Sequence, residues 1–224
     1  MYVRIVAVLS CTFVLLSSGC KSEAGLEQSQ VVPTDFTAIS TPTEPLLPDE
    51  YRTYSDETGI FSISYPSSWQ SYTESLDPEM LSTRELVDSI ESGELLEREG
   101  LILYLDSPSP NDYCQIWVGP LSDKLASVEE VADTHLASIQ KDATKYRQLL
   151  YESLLVNRRE SVILEYEVEF EVEAIVVQLH SLALVTKYHN TIWIASCAVF
   201  AEYASFTAQE AEFHTVLRSL KISR

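Results

Sequence analysis

The sequence predicts an α+β fold in which helices flank a central antiparallel β-sheet, as an α/β/α sandwich. Runs that alternate apolar and polar residues, or are apolar throughout, recur between residues 51 and 200, and such runs indicate strands with one or both faces buried. Segments with apolar residues at helical spacing interrupt the strands and return near the end of the chain. Strands with inserted and terminal helices are typical of helices packed on an antiparallel sheet.

The first strands are predicted at residues 51–54 and 61–65. Between them, residues 56–59 form a turn in which Gly59 supplies the positive φ. Residues 101–105 and 113–118 are short and apolar on both faces, which predicts central strands.

Four further strands are predicted in succession, at residues 148–156, 160–172, 175–186 and 191–200. Asn157 and the pair His189-Asn190 are suitable turn residues between them. No turn former lies between the second and third of these strands, but one continuous strand would have about 25 residues, which is longer than strands ordinarily run. We therefore predict a hairpin at residues 171–174.

The strand at residues 160–172 has the clearest pattern in the chain. Its even positions from Val162 to Val172 are apolar, and every odd position from Glu165 to Glu173 is glutamate. Because successive side chains of a strand point to opposite faces, the pattern predicts one face on the core and one row of carboxylates facing water or a basic partner. We call this set the Glu row; its members are Glu165, Glu167, Glu169, Glu171 and Glu173.

Two uses of the Glu row remain open at this point, a weak surface for divalent cations such as calcium and a docking surface for a basic protein. Neighbouring carboxylates about 6.7 Å apart repel each other by only roughly 0.6 kcal/mol in water, so the row needs no ligand. Calcium requires six to eight oxygen ligands, and adjacent members of one strand supply two or three. The sequence therefore does not predict a tight metal site, and no cofactor is expected.

Three capping boxes predict helix starts, with the hydroxyl residue and the glutamate three positions apart. They are Ser82 with Glu85, Ser127 with Glu130, and Thr207 with Glu210. The apolar stripes that follow the second and third boxes predict two helices that each cover a sheet. His135 lies on the stripe of the second helix and is expected to be a core residue.

The N-terminal residues have the pattern of a bacterial lipoprotein signal. Arg4 precedes an apolar run over residues 5–16, and Ser-Ser-Gly follows directly before Cys20. That run is too short to span a bilayer. We predict a signal peptide over residues 1–19, with Cys20 as the lipid-attachment residue; cleavage by an ordinary signal peptidase is the alternative.

Residues 20–50 are predicted to be a tether between the lipid and a globular domain at residues 51–224. Pro33, Pro42, Pro45 and Pro48 lie there among Ser, Thr, Gln and Glu, without helical or strand periodicity. The protein is therefore expected to be exported and held at the extracytoplasmic face of a membrane.

Cys114 and Cys197 are the cysteines of the predicted globular domain, and both lie in strand patterns. Export permits oxidation. The sequence leaves two alternatives open, a disulfide between them or two buried thiols that act as small core residues.

The net charge of −19 disfavours binding to nucleic acids, because an acidic surface repels phosphate backbones. It favours cations and basic partners. The sequence lacks a nucleophile elbow, a P-loop, a dinucleotide-binding glycine pattern and a HExxH motif. We therefore expect no catalytic activity. The tryptophans Trp117 and Trp193 lie in strongly apolar strands and are expected in the core, although a position at the rim of a groove is an alternative for them.

Two segments resemble the PsbP family. Residues 59–69 read Gly-Ile-Phe-Ser-Ile-Ser-Tyr-Pro-Ser-Ser-Trp, and residues 213–222 read Phe-His-Thr-Val-Leu-Arg-Ser-Leu-Lys-Ile. The first is similar to the opening strand of the family and the second to its terminal helix, and the resemblance spans residues 51–224. It implies a central antiparallel sheet sandwiched by helices. PsbP-like proteins are extrinsic subunits or assembly factors of photosystem II, and relatives of the same fold include a GTPase-binding nuclear import factor and many bacterial lipoproteins.

The function expected from these observations is that of a non-catalytic, lipid-anchored accessory protein. By resemblance, it would dock on a membrane protein complex such as photosystem II, as an assembly or stabilising factor. The alternative is an extracytoplasmic binding module for a divalent metal or a small ligand. A hydrolase whose site assembles only in the fold is the third hypothesis.

Overall fold

The computed structural model describes residues 50–73, 82–92, 100–109, 111–121, 126–172, 175–201 and 206–223. These belong to one compact unit, Asp49–Arg224. The predicted signal peptide, Cys20 and nearly all of the predicted tether lie outside the described residues. None of the helices within the described ranges has the length and apolar composition needed to cross a membrane.

The described chain contains three helices and ten strands, and the α+β prediction is confirmed. The helices are α1 (Thr83–Ser92), α2 (Val128–Asp142) and α3 (Phe206–Arg218). The strands are β1 (Tyr51–Ser55), β2 (Phe61–Pro66), β3 (Gln70–Tyr72), β4 (Gly100–Asp106), β5 (Asp112–Pro120), β6 (Lys145–Val156), β7 (Arg159–Val172), β8 (Ile175–Tyr188), β9 (Thr191–Phe200) and β10 (Lys221–Ile222).

Seven strands form the main sheet, in the order β3-β4-β5-β9-β8-β7-β6, and all neighbours are antiparallel. The predicted hairpin is confirmed, because β7 pairs with β8 from Ser161 opposite Thr186 to Val172 opposite Ile175. β5 lies inside the sheet, as predicted. β4, which was also predicted to be central, lies between β5 and the three-residue edge strand β3.

The sequence did not predict the second sheet. β1, β2 and β10 form a separate three-stranded sheet with β2 in the middle. β10 has two residues and β3 has three, and segments this short carry no readable alternation of polarity.

Each face of the main sheet packs its own apolar core. On one face, α1, α3 and the small sheet cover β4, β5, β8 and β9; Phe61, Phe213 and Trp193 are fully buried there. On the other face, α2 covers the even positions of β7, with Val162 and Leu164 fully buried. The prediction that the second and third helices each cover a sheet is confirmed, and they cover opposite faces of the same sheet.

Two of the three predicted capping boxes are present. Ser82 and Glu85 cap α1 reciprocally, since the Ser82 amide donates to the Glu85 carboxylate (2.9 Å) and the Glu85 amide donates to the Ser82 hydroxyl (3.3 Å). Ser127 and Glu130 do the same at α2. The third box is wrong, because α3 begins at Phe206 and Thr207 therefore lies inside the helix.

The predicted turns have the expected backbone. Gly59 has a φ of 72°, and Asn157 and His189 have φ values of 50° and 52°. Glycine and asparagine tolerate this left-handed region better than other residues. At the first turn, the Asp56 carboxylate accepts a hydrogen bond from the Thr58 amide (3.0 Å).

A disulfide joins Cys114 and Cys197 across the centre of the main sheet. The two residues are direct neighbours on β5 and β9, with 4.0 Å between their Cα atoms. The sequence left a disulfide and two buried thiols as alternatives, and the structure contains the disulfide. It closes a loop between residues 83 positions apart.

We predict that replacing Cys114 and Cys197 together by alanine lowers the free energy of unfolding by about 2–4 kcal/mol, because the bridge restricts the unfolded chain. Urea unfolding of the variant and of the wild type, the latter with and without reductant, measures this. Mass spectrometry after alkylation of the native protein is the control: two alkylated thiols would contradict the bridge.

Candidate interaction surface

The Glu row lies on the long strand β7, at the end of the main sheet formed by β6, β7 and β8. The members that belong to β7, from Glu165 to Glu171, point to the same face as the buried Ile163, and this is the face that α3 covers farther along the sheet. Glu171 is exposed, and Glu173 lies outside the described residues. The other three have partners within the chain.

Glu169 is held by residues from both neighbouring strands. Its carboxylate accepts hydrogen bonds from the Lys145 ammonium (2.9 Å) and the Gln178 amide (2.9 Å). The Glu169 side chain is only 13% exposed although that of Lys145 is 75% exposed. Hydrogen bonds from Lys145 and then Gln178 lower the pKa of Glu169, since they stabilise the ionised carboxylate.

Glu167 binds Arg147 on β6. One carboxylate oxygen accepts from both Nε (3.0 Å) and Nη2 (2.7 Å) of the guanidinium. The two residues are opposite each other in the β6–β7 pairing. Opposite charges at such a cross-strand position stabilise the sheet by roughly 0.2–1 kcal/mol.

Glu165 binds His180 of β8, with 2.7 Å between its Oε1 and the ring Nε2. The other ring nitrogen lies 3.7 Å from the Glu167 carboxylate. The imidazole also stacks on Phe206 at the start of α3, with 3.7 Å between the ring centroids and 4° between the planes. Glu165 and His180 are 17% and 18% exposed, so this part of the row is largely covered by the protein.

Glu165 and Glu169 are therefore largely covered by the protein, whereas Glu167 is 41% exposed and Glu171 is exposed. A divalent cation at Glu165, Glu167 or Glu169 would have to displace His180, Arg147 or Lys145, respectively. Within the part of the chain that the structure describes, no group of three or more His, Cys, Asp or Glu side chains is placed to hold a metal ion. Whether the row binds calcium weakly or a basic partner stays a prediction.

His135 lies beside the buried Val131 and Leu136 of α2, and it is partly exposed, although the sequence predicted a core residue. Both of its ring nitrogens are enclosed, and neither has a hydrogen-bond partner among the described residues. Burial lowers the pKa of His135 to about 4, because an enclosed apolar site disfavours the charged ring. A neutral, enclosed imidazole is poorly placed to exchange protons with a substrate.

The tryptophans divide between the core and the surface. Trp193 is fully buried, and Trp69 is 2% exposed with its ring edge-on to Phe213 (6.2 Å between centroids). The prediction that Trp117 is a core residue is wrong: it is partly exposed and belongs to neither apolar core. It lies on the face that α2 covers only at the opposite end of the sheet.

Comparison with known proteins gives the fold. No protein-family model matches the chain, and no curated protein sequence matches it. The solution structure of cyanobacterial PsbP (CyanoP) from Synechocystis sp. PCC 6803 matches with a TM-score of 0.51 at 15% identity, covering 82% of this chain and 98% of that one. The chain has a PsbP-like fold. A mutant of the protein Mog1 also matches with a TM-score of 0.51, at 10% identity, covering 77% of this chain and 95% of that one.

We predict that replacing Lys145 by glutamine raises the pKa of Glu169, because the carboxylate loses its principal charged donor. A carboxylate-detected NMR titration measures the shift. Glu171, which is exposed on the same strand, serves as the internal reference. An unchanged Glu169 titration in the variant would mean that the ion pair is not formed in solution.

We also predict that His135→Leu reduces the loss of stability in acid. The pKa of His135 is below its ordinary value, so the unfolded state gains the proton first and stability falls as the pH drops below about 6.5 towards 4. Between pH 7.5 and pH 5 this amounts to about 2 kcal/mol. Urea unfolding at both pH values compares the variant with the wild type; an equal loss in both would contradict the assignment.

Proposed function

We propose that the protein is a non-catalytic accessory protein that docks on a membrane protein complex at the extracytoplasmic face of a membrane. The observation that carries this proposal is the PsbP-like fold, which spans 98% of the cyanobacterial PsbP structure. Because fold alone does not determine function, the proposal draws also on the side chains and on the leader.

The surroundings of His135 and His180 support a non-catalytic role. Each ring nitrogen of His180 faces a carboxylate, that of Glu165 or Glu167, so neither is directed at a hydroxyl or thiol that it could activate as a nucleophile. His135 is enclosed. Cys114 and Cys197 are joined to each other and provide no thiolate.

The sequence pattern of the leader supports the location. Residues 1–20 have the charged start, the apolar run and the terminal cysteine of a lipoprotein signal. The disulfide agrees with export, because disulfides persist in oxidising compartments and are rare in the cytosol. We infer that Cys20 carries the lipid and that residues 20–50 tether the globular domain to the membrane.

The identity of the complex follows from resemblance alone. Photosystem II is the first candidate, since the motifs at residues 59–69 and 213–222 resemble the PsbP family. The alternative, a module that binds a divalent metal, has less support, because Glu165, Glu167 and Glu169 already have partners in the chain.

Cross-linked affinity purification from native membranes tests the proposal. The full chain with its leader should retrieve the subunits of one membrane complex in fixed proportions. A chain with Cys20→Ala should be released from the membrane and retrieve much less of the complex. If photosystem subunits are absent, the photosynthetic assignment fails; if no membrane complex is enriched over a tag-only control, the proposed function fails.

Calorimetric titration with calcium, zinc and manganese separates the metal-binding alternative. We predict no heat of binding at micromolar metal for the wild type or for the triple variant Glu165→Gln, Glu167→Gln and Glu169→Gln. Heat that is present in the wild type and lost in the triple variant would support a metal-binding module instead.

A further inference from the structure

A row of aromatic rings crosses the half of the main sheet that lies away from the Glu row. The ring centroids of Tyr72 and Tyr104 are 6.4 Å apart, those of Tyr104 and Tyr113 are 5.6 Å apart, and those of Tyr113 and Phe200 are 5.9 Å apart. These four residues come from four adjacent strands, β3, β4, β5 and β9. Trp117 lies on the same face of β5, and we call these five residues the aromatic row.

The helices that the structure describes pack on parts of the sheet other than the aromatic row. α2 packs on β6, β7 and β8, at the opposite end of this face, and α1 and α3 pack on the other face. All five rings are partly exposed. Tyr72, Tyr104, Tyr113 and Trp117 belong to neither core, and only Phe200 touches the core beneath α2. Contiguous aromatic surface that is not part of a core is typical of an interaction site.

Asp106 is the one charged side chain that β3, β4, β5 and β9 place on the face of the aromatic row, and Lys187 of β8 lies farther along the same face. β3, β4, β5 and β9 contain no lysine or arginine. Asp106 lies opposite Tyr113 and two residues from Tyr104, on the same face. Burial and then the charge of Asp106 raise the pKa of Tyr104 to about 12, so its hydroxyl stays neutral. The Glu row differs in that Lys145 and Arg147 pair with two of its members, Glu169 and Glu167.

We propose that the aromatic row, with Asp106, is the surface on which a basic segment of a partner protein docks through arginine and lysine side chains. The inference rests on the proposed function, in that it names the surface by which the accessory protein holds its complex. It moves the docking surface from the Glu row, which the sequence suggested, to the other half and the other face of the sheet.

A basic segment fits this surface for two physical reasons. Cations bind the faces of tyrosine and tryptophan rings within about 6 Å of the centroid, and arginine does so most often. The chain itself contains this contact, with Arg52 at 4.9 Å from the Tyr65 ring and Arg159 at 4.0 Å from the Tyr188 ring. The net charge of −19 adds long-range attraction for a basic partner and repels an acidic one.

Fluorescence anisotropy with a labelled ten-residue peptide of alternating arginine and glycine tests the proposal on the full chain. The wild type should bind this peptide and should not bind a peptide of alternating glutamate and glycine. Tyr104→Leu combined with Tyr113→Leu keeps the apolar bulk and removes two ring faces, and should weaken binding about tenfold or more. Tyr104→Phe keeps the ring and should bind within about twofold of the wild type.

Tyr146→Leu is the matched control, because Tyr146 is a partly exposed tyrosine of the same sheet that packs instead against Tyr166 and the core beneath α2. It should leave peptide binding unchanged. Circular dichroism and the disulfide content of each variant show whether it has folded. Should the double leucine variant misfold, Asp106→Asn supplies the second measurement, with an expected loss of about threefold.

Several results would overturn the proposal. One is the absence of binding by the wild type at micromolar peptide, and another is an equal loss of affinity in the Tyr146→Leu control. Binding of a neutral oligosaccharide such as chitohexaose in place of the peptide would assign the row to carbohydrate. Concentration-dependent dimerisation in sedimentation, abolished by the double leucine variant, would assign it to a second copy of the chain.

The same variants separate this proposal from the proposed function. If the wild type and the double leucine variant retrieve the same membrane complex in equal amounts, the protein is an accessory factor that docks elsewhere, and the inference fails alone. If neither retrieves a complex, the proposed function fails, and the peptide titration still decides whether the row binds basic segments.

Discussion

The pairing register of β7 with β8 determines the two faces of the main sheet. Val162 and Leu164 on β7 then share a face with Ala183 and Val185 on β8 under α2, while Ile163 shares the other with Leu182 and Leu184. A slip by one residue would exchange these sets and carry the glutamates into the core beneath α2. Burying unpaired carboxylates costs far more than the register gains elsewhere, so the Glu row itself enforces the register.

The elements that carry a long periodic pattern were predictable, and the short ones were not. The alternation of apolar and acidic residues in β7 predicted both the strand and its buried face. The helices α1 and α2 begin at their predicted capping boxes. Thr207 matched the same box, yet α3 begins at Phe206, whose ring stacks on His180. β3 and β10 have too few residues to show a period.

The sequence could predict only some of the partners of the Glu row. Because Val172 pairs with Ile175, Glu167 lies opposite His180 and Glu169 lies opposite Gln178. A count of residues from the predicted hairpin could therefore have found the residues that face the row from β8. The other side depends on the irregularity of β6 between Gln148 and Leu150, which shifts Lys145 and Arg147 into place. No pattern in the sequence predicts such a bulge. The aromatic row likewise depends on strand order, which brings β3 and β9 to β4 and β5.

The two halves of the sheet differ in their proposed roles. Lys145 and Arg147 of the protein itself bind members of the Glu row, and the aromatic row is the proposed docking surface. Site-specific photo-crosslinking in native membranes tests this most directly, with benzoylphenylalanine placed at residue 117 in one sample and at residue 167 in another. We expect crosslinks to one membrane-complex subunit from position 117 and none from position 167. Crosslinks from position 167 alone would contradict it and return the docking surface to the Glu row.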